Sequence, residues 1–162
     1  MTTSLRIREA VEADVPLVAS LIRELAEYER LLDEVAMTEE RLRDALFGRR
    51  RFAEVAIAED RAGEALGFAL FFHNFSTFVG LPGIYLEDLF VRPPHRGSGV
   101  GRALLEHLAR VAVERGCGRL EWAVLDWNEP AIGFYQRLGA QANDEWTVYR
   151  LAGDALARLA AG

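Results

Sequence analysis

The residues with the most chemical content are Arg96-Gly97-Ser98-Gly99-Val100-Gly101-Arg102, which follow an apolar run ending at Val91 and a breaker at Pro93-Pro94 and open an amphipathic helix. Strand, glycine turn and helix in that order are built to hold an anion. The glycines turn the backbone sharply without Cβ clashes, and the first helical N–H groups have no partner inside the helix. The helix dipole adds positive potential at the same end, so a phosphate or pyrophosphate ligand is the first expectation. The usual P-loop needs Gly-Lys and is excluded, because the chain contains no lysine. A dinucleotide fingerprint, G-x-G-x-x-G, fits poorly because the third glycine comes one position early, although Glu121 stands at a suitable distance downstream. The remaining pattern is an arginine followed by x-x-G-x-G, met by Arg96 to Gly101. Just upstream, Glu87-Asp88 is a carboxylate pair in the strand. Such a pair binds a cation, and like-charge repulsion raises one of its pKa values toward useful basicity. Adjacent strand residues point to opposite faces, so one of the two is expected to face a substrate. A strand-end charge cluster without chemistry is the other reading.

The elements that must position these residues follow from periodicity. Leu5 and Ile7 alternate with Arg6 and Arg8, which predicts a strand over 5–10. Asp14 ahead of Pro16, with Leu17, Val18, Leu21, Ile22 and Leu25 at helical spacing, predicts a first helix ending near Tyr28 or Glu29. Thr38 caps a second helix that carries Leu42, Ala45 and Leu46 and stops at Gly48. Strands are expected over 52–58 and 65–72, joined by a polar turn from Glu59 to Glu64. The segment 73–83 reads as a loop, its Phe75 and Phe78 either core or pocket lining. The pivotal strand over 84–91 precedes a helix over 99–114 whose apolar stripe is Val100, Leu104, Leu108 and Val111. A short strand over 120–125 comes next, then a helix opened by Asn128-Glu129-Pro130, running through Phe134 and Tyr135 to Leu138 and stopped by Gly139. A last strand is expected over 146–151, ahead of an alanine-rich tail. This order is mixed α/β: a mixed central sheet flanked by helices.

Composition narrows the function classes. With 162 residues, about half of them apolar, residues 1–162 are expected to form a single domain around one core. No apolar run approaches the roughly 20 residues of a membrane span, and the first residues lack the basic-then-apolar order of a signal peptide. A soluble, cytoplasmic protein without a membrane partner is therefore expected. The lone Cys117 cannot form an internal disulfide, and His73, His95 and His107 show no metal-ligand spacing with it, so no metal is expected. The net charge of −6 argues against nucleic acid and suits a cationic substrate. Between Glu24 and Glu40 there are seven acidic residues and one basic one, either a solvated helical face or an acidic rim that attracts a polyamine-like cation.

The arginine-glycine loop, Arg96 to Gly101, resembles the coenzyme A pyrophosphate loop of the GNAT N-acetyltransferases, and the order of elements resembles that fold along nearly the whole chain. Tyr85-Leu86-Glu87-Asp88 before the loop, Trp127-Asn128-Glu129-Pro130 followed by Phe134-Tyr135, and Glu24-Leu25-Ala26 with Tyr28-Glu29 resemble the spermidine/spermine, or diamine, acetyltransferase branch. The resemblance implies an acyl-CoA N-acyltransferase fold, acetyl-CoA as co-substrate and a homodimer. It implies that backbone groups of Leu89, Phe90 and Val91 bind the pantetheine arm. The pyrophosphate is then expected on Arg96, Gly97, Ser98, Gly99, Val100, Gly101 and Arg102, with Asn128, Glu129, Pro130 and Ala131 along the cofactor's other side. Tyr135, by its residues alone a core aromatic beside Phe134, falls on the position of the family's general acid. Glu87, with Tyr28 and Glu29, falls on positions that meet the amine.

The chemistry asks for these groups in its own right. A primary amine near neutral pH is mostly ammonium and has no lone pair, so attack on a thioester needs a base or water chain to take a proton. Glu87 is the expected base, on the strength of the resemblance, with Asp88 beside it for cation binding. The departing thiolate needs a proton or a hydrogen bond, which a tyrosine hydroxyl provides, and the thioester oxygen gains charge that a strand N–H near Leu89 can stabilise. Departures from the diamine branch bear on the substrate. The loop Asn74-Phe75-Ser76-Thr77-Phe78 lacks the acidic residue and tryptophan of the polyamine enzymes, and Leu31 and Leu32 replace acidic character, leaving Asp33 and Glu34 to supply it. The expected activity is acetyl transfer to a small cationic amine, such as a diamine, a polyamine or a thialysine-like compound, in a ternary complex. The alternatives are acetylation of a protein or peptide amine, and a non-catalytic acyl-CoA-binding regulatory module.

Overall fold

The computed structural model describes residues 4–162, whose contacts divide into two compact units, one ending at Ala123 and one spanning Val124–Gly162. The first unit holds the sheet: β1 Arg6–Glu9, β2 Glu54–Glu59, β3 Ala65–Ser76, β4 Leu81–Val91 and β5 Leu120–Trp122. Its helices are α1 Val15–Tyr28, α2 Glu39–Phe47 and α3 Val100–Glu114. The strands lie in sequence order, antiparallel from β1 to β4, with β5 parallel to β4 after the crossover through α3. This is the mixed sheet flanked by helices that the sequence predicts.

Alternation along the strands builds two apolar layers. Val55, Ile57, Phe68 and Phe90 join Val15, Val18, Leu21, Leu25, Leu42 and Leu46 in one buried cluster, which seats α1 and α2 on one face. The intervening Ala56, Ala58 and Ala69 are also buried, and α3 packs on the sheet with Val100, Leu104, Leu105, Leu108 and Ala112 buried. Thr38 Oγ1 accepts from Arg41 N–H at 3.2 Å and caps α2 as expected. Asp14 stands at the N-cap position of α1, but its carboxylate accepts from Val11 N–H and Arg8 rather than from the helix.

Several boundaries differ from expectation. The loop predicted over 73–83 is a long hairpin, because β3 and β4 pair continuously out to Ser76 opposite Leu81, and this ladder outweighs the local preference of Pro82-Gly83. Phe75 and Phe78 are exposed there and are not core. Glu59, expected in a turn, ends β2 with its carboxylate buried and bonded to Arg6 and Arg8. β5 stops at Trp122, short of Leu125.

The second unit contains α4 Glu129–Arg137 and α5 Gly153–Ala161, the latter in place of the expected tail. The strand predicted over 146–151 is absent, and Trp146, Val148 and Tyr149 are exposed. A strand needs a neighbour to accept its backbone hydrogen bonds, and this unit contains no other strand among the described residues. No helix among the described residues is long and apolar enough to cross a membrane.

Candidate active site

The site is built on an irregularity in β4. Leu70 pairs with Asp88 and Phe71 with Leu86, so Glu87 is an extra residue without a partner, a β-bulge. Neighbouring residues 70 and 71 face opposite sides of the sheet, and their partners Asp88 and Leu86 therefore do too. The bulge thus reverses the facing of β4 midway: Asp88 shares the α1 side with Leu70 and Phe90. The simple alternation expected for Glu87 and Asp88 is interrupted at these two residues.

Beyond the bulge β4 loses its outer neighbour. β5 pairs only with Ile84, Tyr85 and Leu86, which leaves Leu89 to Val91 with an open edge. Arg92 N–H bonds to Leu66 O at 2.9 Å, which makes Val91 opposite Gly67 a non-hydrogen-bonded pair. The N–H and C=O of Val91, and by the period of two those of Leu89, accordingly point to the open edge. Those of Phe90 point to β3, and its side chain is buried in the core. Leu89 and Val91, two of the three residues assigned to the pantetheine arm, thus turn backbone groups to this edge, where Val91 O accepts from Arg96 Nε.

The strand runs directly into the glycine loop. Gly97 and Gly99 have φ of 77° and 90°, a left-handed backbone that other residues adopt at a cost. The first helical bond of α3 is Ala103 N–H to Gly99 O at 3.0 Å, so the N–H groups of Val100, Gly101 and Arg102 lie ahead of the helical ladder. This is the strand, glycine turn and helix N-terminus that the sequence predicts. Ser98 Oγ donates to His95 O and braces the turn. Arg102 Nε is 2.8 Å from Glu106, an exposed pair along the helix. Arg96 Nε donates to Val91 O at 2.9 Å on the open edge, and its guanidinium carbon lies 4.3 Å from the centre of the Tyr28 ring.

The carboxyl groups differ sharply. Burial, then the charges of Glu87 and Glu29, push Asp88 up to about 7. Burial also raises Glu29 at the end of α1. Glu87, the expected base, is exposed on the bulge. Asp88 is thus raised toward neutrality, and the charge of the exposed Glu87 contributes to that rise.

One supporting residue escaped sequence reasoning. Arg92, the residue after β4, bonds Glu24 through Nε and Nη2 at 3.1 and 2.9 Å, and Ala65 O and Glu64 through Nη1 at 2.9 and 3.3 Å. It ties α1, the start of β3 and the exit of β4 together just before the loop. Nothing local in the sequence signals this, because the partners are distant in the chain.

In the second unit, Asn128 is buried and its Oδ1 accepts from Ala131 N–H at 3.4 Å, which closes the first turn of α4 over Glu129 and Pro130. Tyr135 is half-buried one turn further on, its ring 5.6 Å from that of Phe134. The remaining candidate residues, Tyr28, Glu29, Glu87, Asp88, Leu89 to Val91 and Arg96 to Arg102, lie in the first unit.

The bulge at Glu87, the edge at Leu89 and Val91, the left-handed glycine loop and the N-terminus of α3 thus follow one another within residues 87–102. The profile of the acetyltransferase (GNAT) family matches residues 18–140, and the chain belongs to that family. It is 43% identical to a thialysine N-epsilon-acetyltransferase of Bos taurus over 95% of this chain and 96% of the relative. It is 35% identical to an L-ornithine N5-acetyltransferase of Arabidopsis thaliana, over 93% of this chain and 86% of that protein. Among solved structures, an integron cassette protein from the mobile metagenome of V. cholerae superposes with a TM-score of 0.81 at 31% identity, covering 98% of this chain and 99% of that one. The protein is an acetyltransferase.

Proposed function

We propose that the enzyme transfers the acetyl group of acetyl-CoA to the terminal amine of a small cationic amino compound of the thialysine or ornithine type, by direct attack in a ternary complex. The observation that carries this reading is the junction itself: the open edge of Leu89 and Val91 leads into the Arg96–Arg102 loop beside Asp88. The residues fit the co-substrate, since an extended amide-bearing arm can add to a free strand edge and a pyrophosphate can take unpaired N–H groups. Acetyl-CoA supplies the activated thioester. Asn128, Glu129, Pro130 and Ala131 are assigned to the same co-substrate by resemblance.

In this reading Tyr28, Glu29, Glu87 and Asp88 receive the ammonium. Asp88, ionised when the cation arrives, takes one proton, directly or through water, and leaves the nitrogen lone pair free to attack the carbonyl carbon. The Leu89 N–H stabilises charge on the carbonyl oxygen as the C–N bond forms. The C–S bond breaks, Tyr135 donates a proton to the departing sulfur, and the second proton, shed by the nitrogen as the amide forms, returns to the Tyr135 oxygen through water. The names of the bovine and Arabidopsis relatives support a side-chain amine of an amino acid over spermidine.

The test is release of free coenzyme A across thialysine, ornithine, lysine, putrescine, spermidine, an aminoglycoside and short peptides. Turnover is expected on thialysine or ornithine first. Turnover on peptides alone would overturn the substrate assignment, and binding of acetyl-CoA without turnover of any amine would favour a regulatory module. Tyr135→Phe should lower kcat while leaving coenzyme A affinity nearly unchanged.

A further inference from the structure

The geometry points to Tyr28, on the amine-side helix α1, as a positioning residue for the cofactor: its ring holds Arg96 in place to receive the pyrophosphate. This rests on the assignment of the glycine loop to coenzyme A made above.

Arg96 belongs to the loop, yet its side chain is folded back across the end of β4. Nε is anchored on Val91 O at 2.9 Å, and the guanidinium carbon lies 4.3 Å from the Tyr28 ring centre and 5.6 Å from that of Phe90. Phe90 is locked in the core, and Tyr28 packs against the same cluster from the last turn of α1. Both rings are therefore fixed surfaces. A guanidinium is planar and donates hydrogen bonds only in its plane, so stacking one face on a ring constrains the direction of its donors without using any of them. Nε is taken, while the Nη donors make no hydrogen bond among the described residues and Arg96 is exposed. The result is an arginine held at a fixed place at the end of β4, with its Nη donors unused, at the start of the loop that leads into α3.

An arginine side chain otherwise loses substantial rotamer freedom on binding an anion. Pre-stacking removes part of that cost before the ligand arrives, which is the usual gain from preorganisation. The ring is what matters for this role, and the hydroxyl is not.

The experiment measures coenzyme A affinity calorimetrically, without amine, for the wild type and for Tyr28→Leu, Tyr28→Phe, Arg96→Met and the Tyr28→Leu/Arg96→Met double variant. Pantetheine, which lacks the pyrophosphate, is measured by competition. Tyr28→Leu is expected to weaken coenzyme A by roughly three- to tenfold, the size of one partly exposed cation–π contact. Tyr28→Phe should restore wild-type affinity, pantetheine should be unaffected, and Tyr28→Leu should add nothing once Arg96 is already Met. Unchanged coenzyme A affinity in Tyr28→Leu, or equal weakening of coenzyme A and pantetheine, overturns this inference while leaving the assigned activity intact. Failure of the wild type to bind coenzyme A at all overturns both.

Discussion

In the proposed mechanism two demands conflict at Asp88: burial disfavours the charged carboxylate, whereas taking a proton from an ammonium requires it. Its value of about 7 in the fold lies above the 3.8 of an exposed aspartate. Between those values the folded chain binds more protons than the unfolded one, so stability falls as pH rises through that window. Asp88→Asn is therefore expected to melt above the wild type at about pH 8, with the difference vanishing near pH 4. The same variant should lose about 10²–10⁴-fold in kcat/KM, and the acidic limb of the wild-type profile near pH 7 should go with it. Glu59 behaves in the opposite sense. Hydrogen bonding from Arg8, with a smaller part from Arg6, holds its carboxyl below the ordinary range despite burial. Its stabilisation is present above the unfolded pKa and is lost as pH falls through the lowered folded value. Glu59→Ala removes the carboxylate that Arg6 and Arg8 share while Arg8 keeps Asp14, and should cost about 1–2 kcal/mol in urea unfolding through the lost charged hydrogen bonds.

Among the elements, β4 and the loop that follows it carry the site, and each depends on one local exception to regular geometry. The bulge at Glu87 turns Asp88 toward the α1 side, and the divergence from β5 opens the edge at Leu89 and Val91. In the loop, Gly99→Ala must accept φ near 90° with no other obstacle around its Cβ. It should destabilise by about 1–2 kcal/mol and raise the KM for acetyl-CoA, since the first turn of α3 must shift to relieve the strain. Strand, turn and helix were legible here because glycine and arginine spacing is a local signal. The hairpin out to Ser76 and Leu81 was not, because cross-strand pairing overrode Pro82-Gly83.

For the molecule as a whole, the net charge of −6 sets a long-range field that would attract the cationic amine proposed as substrate. Raising salt from about 0.01 to about 0.15 M shortens the Debye length from roughly 30 to 8 Å, so the KM for the amine should rise over that range. A KM independent of salt would show that only the close carboxylates matter. In the proposed reading the carboxyl groups of Glu29, Glu87 and Asp88, which act on one another in the first unit, supply that close part.

Periodicity was enough for the mixed α/β fold and the glycine turn into α3, and the resemblance of several short motifs for the family, since each is written in residues near one another in the chain. Only the tertiary structure decided which carboxyl of the Glu87-Asp88 pair becomes the poised one. That choice depends on the register of β4 against β3, which inserts Glu87 as the unpaired residue, and on the burial of Asp88 near Glu29. The Arg92–Glu24 tie and the Arg96–Tyr28 stack were hidden for the same reason. Side chains far apart in sequence leave no periodic trace, and only packing brings their atoms together.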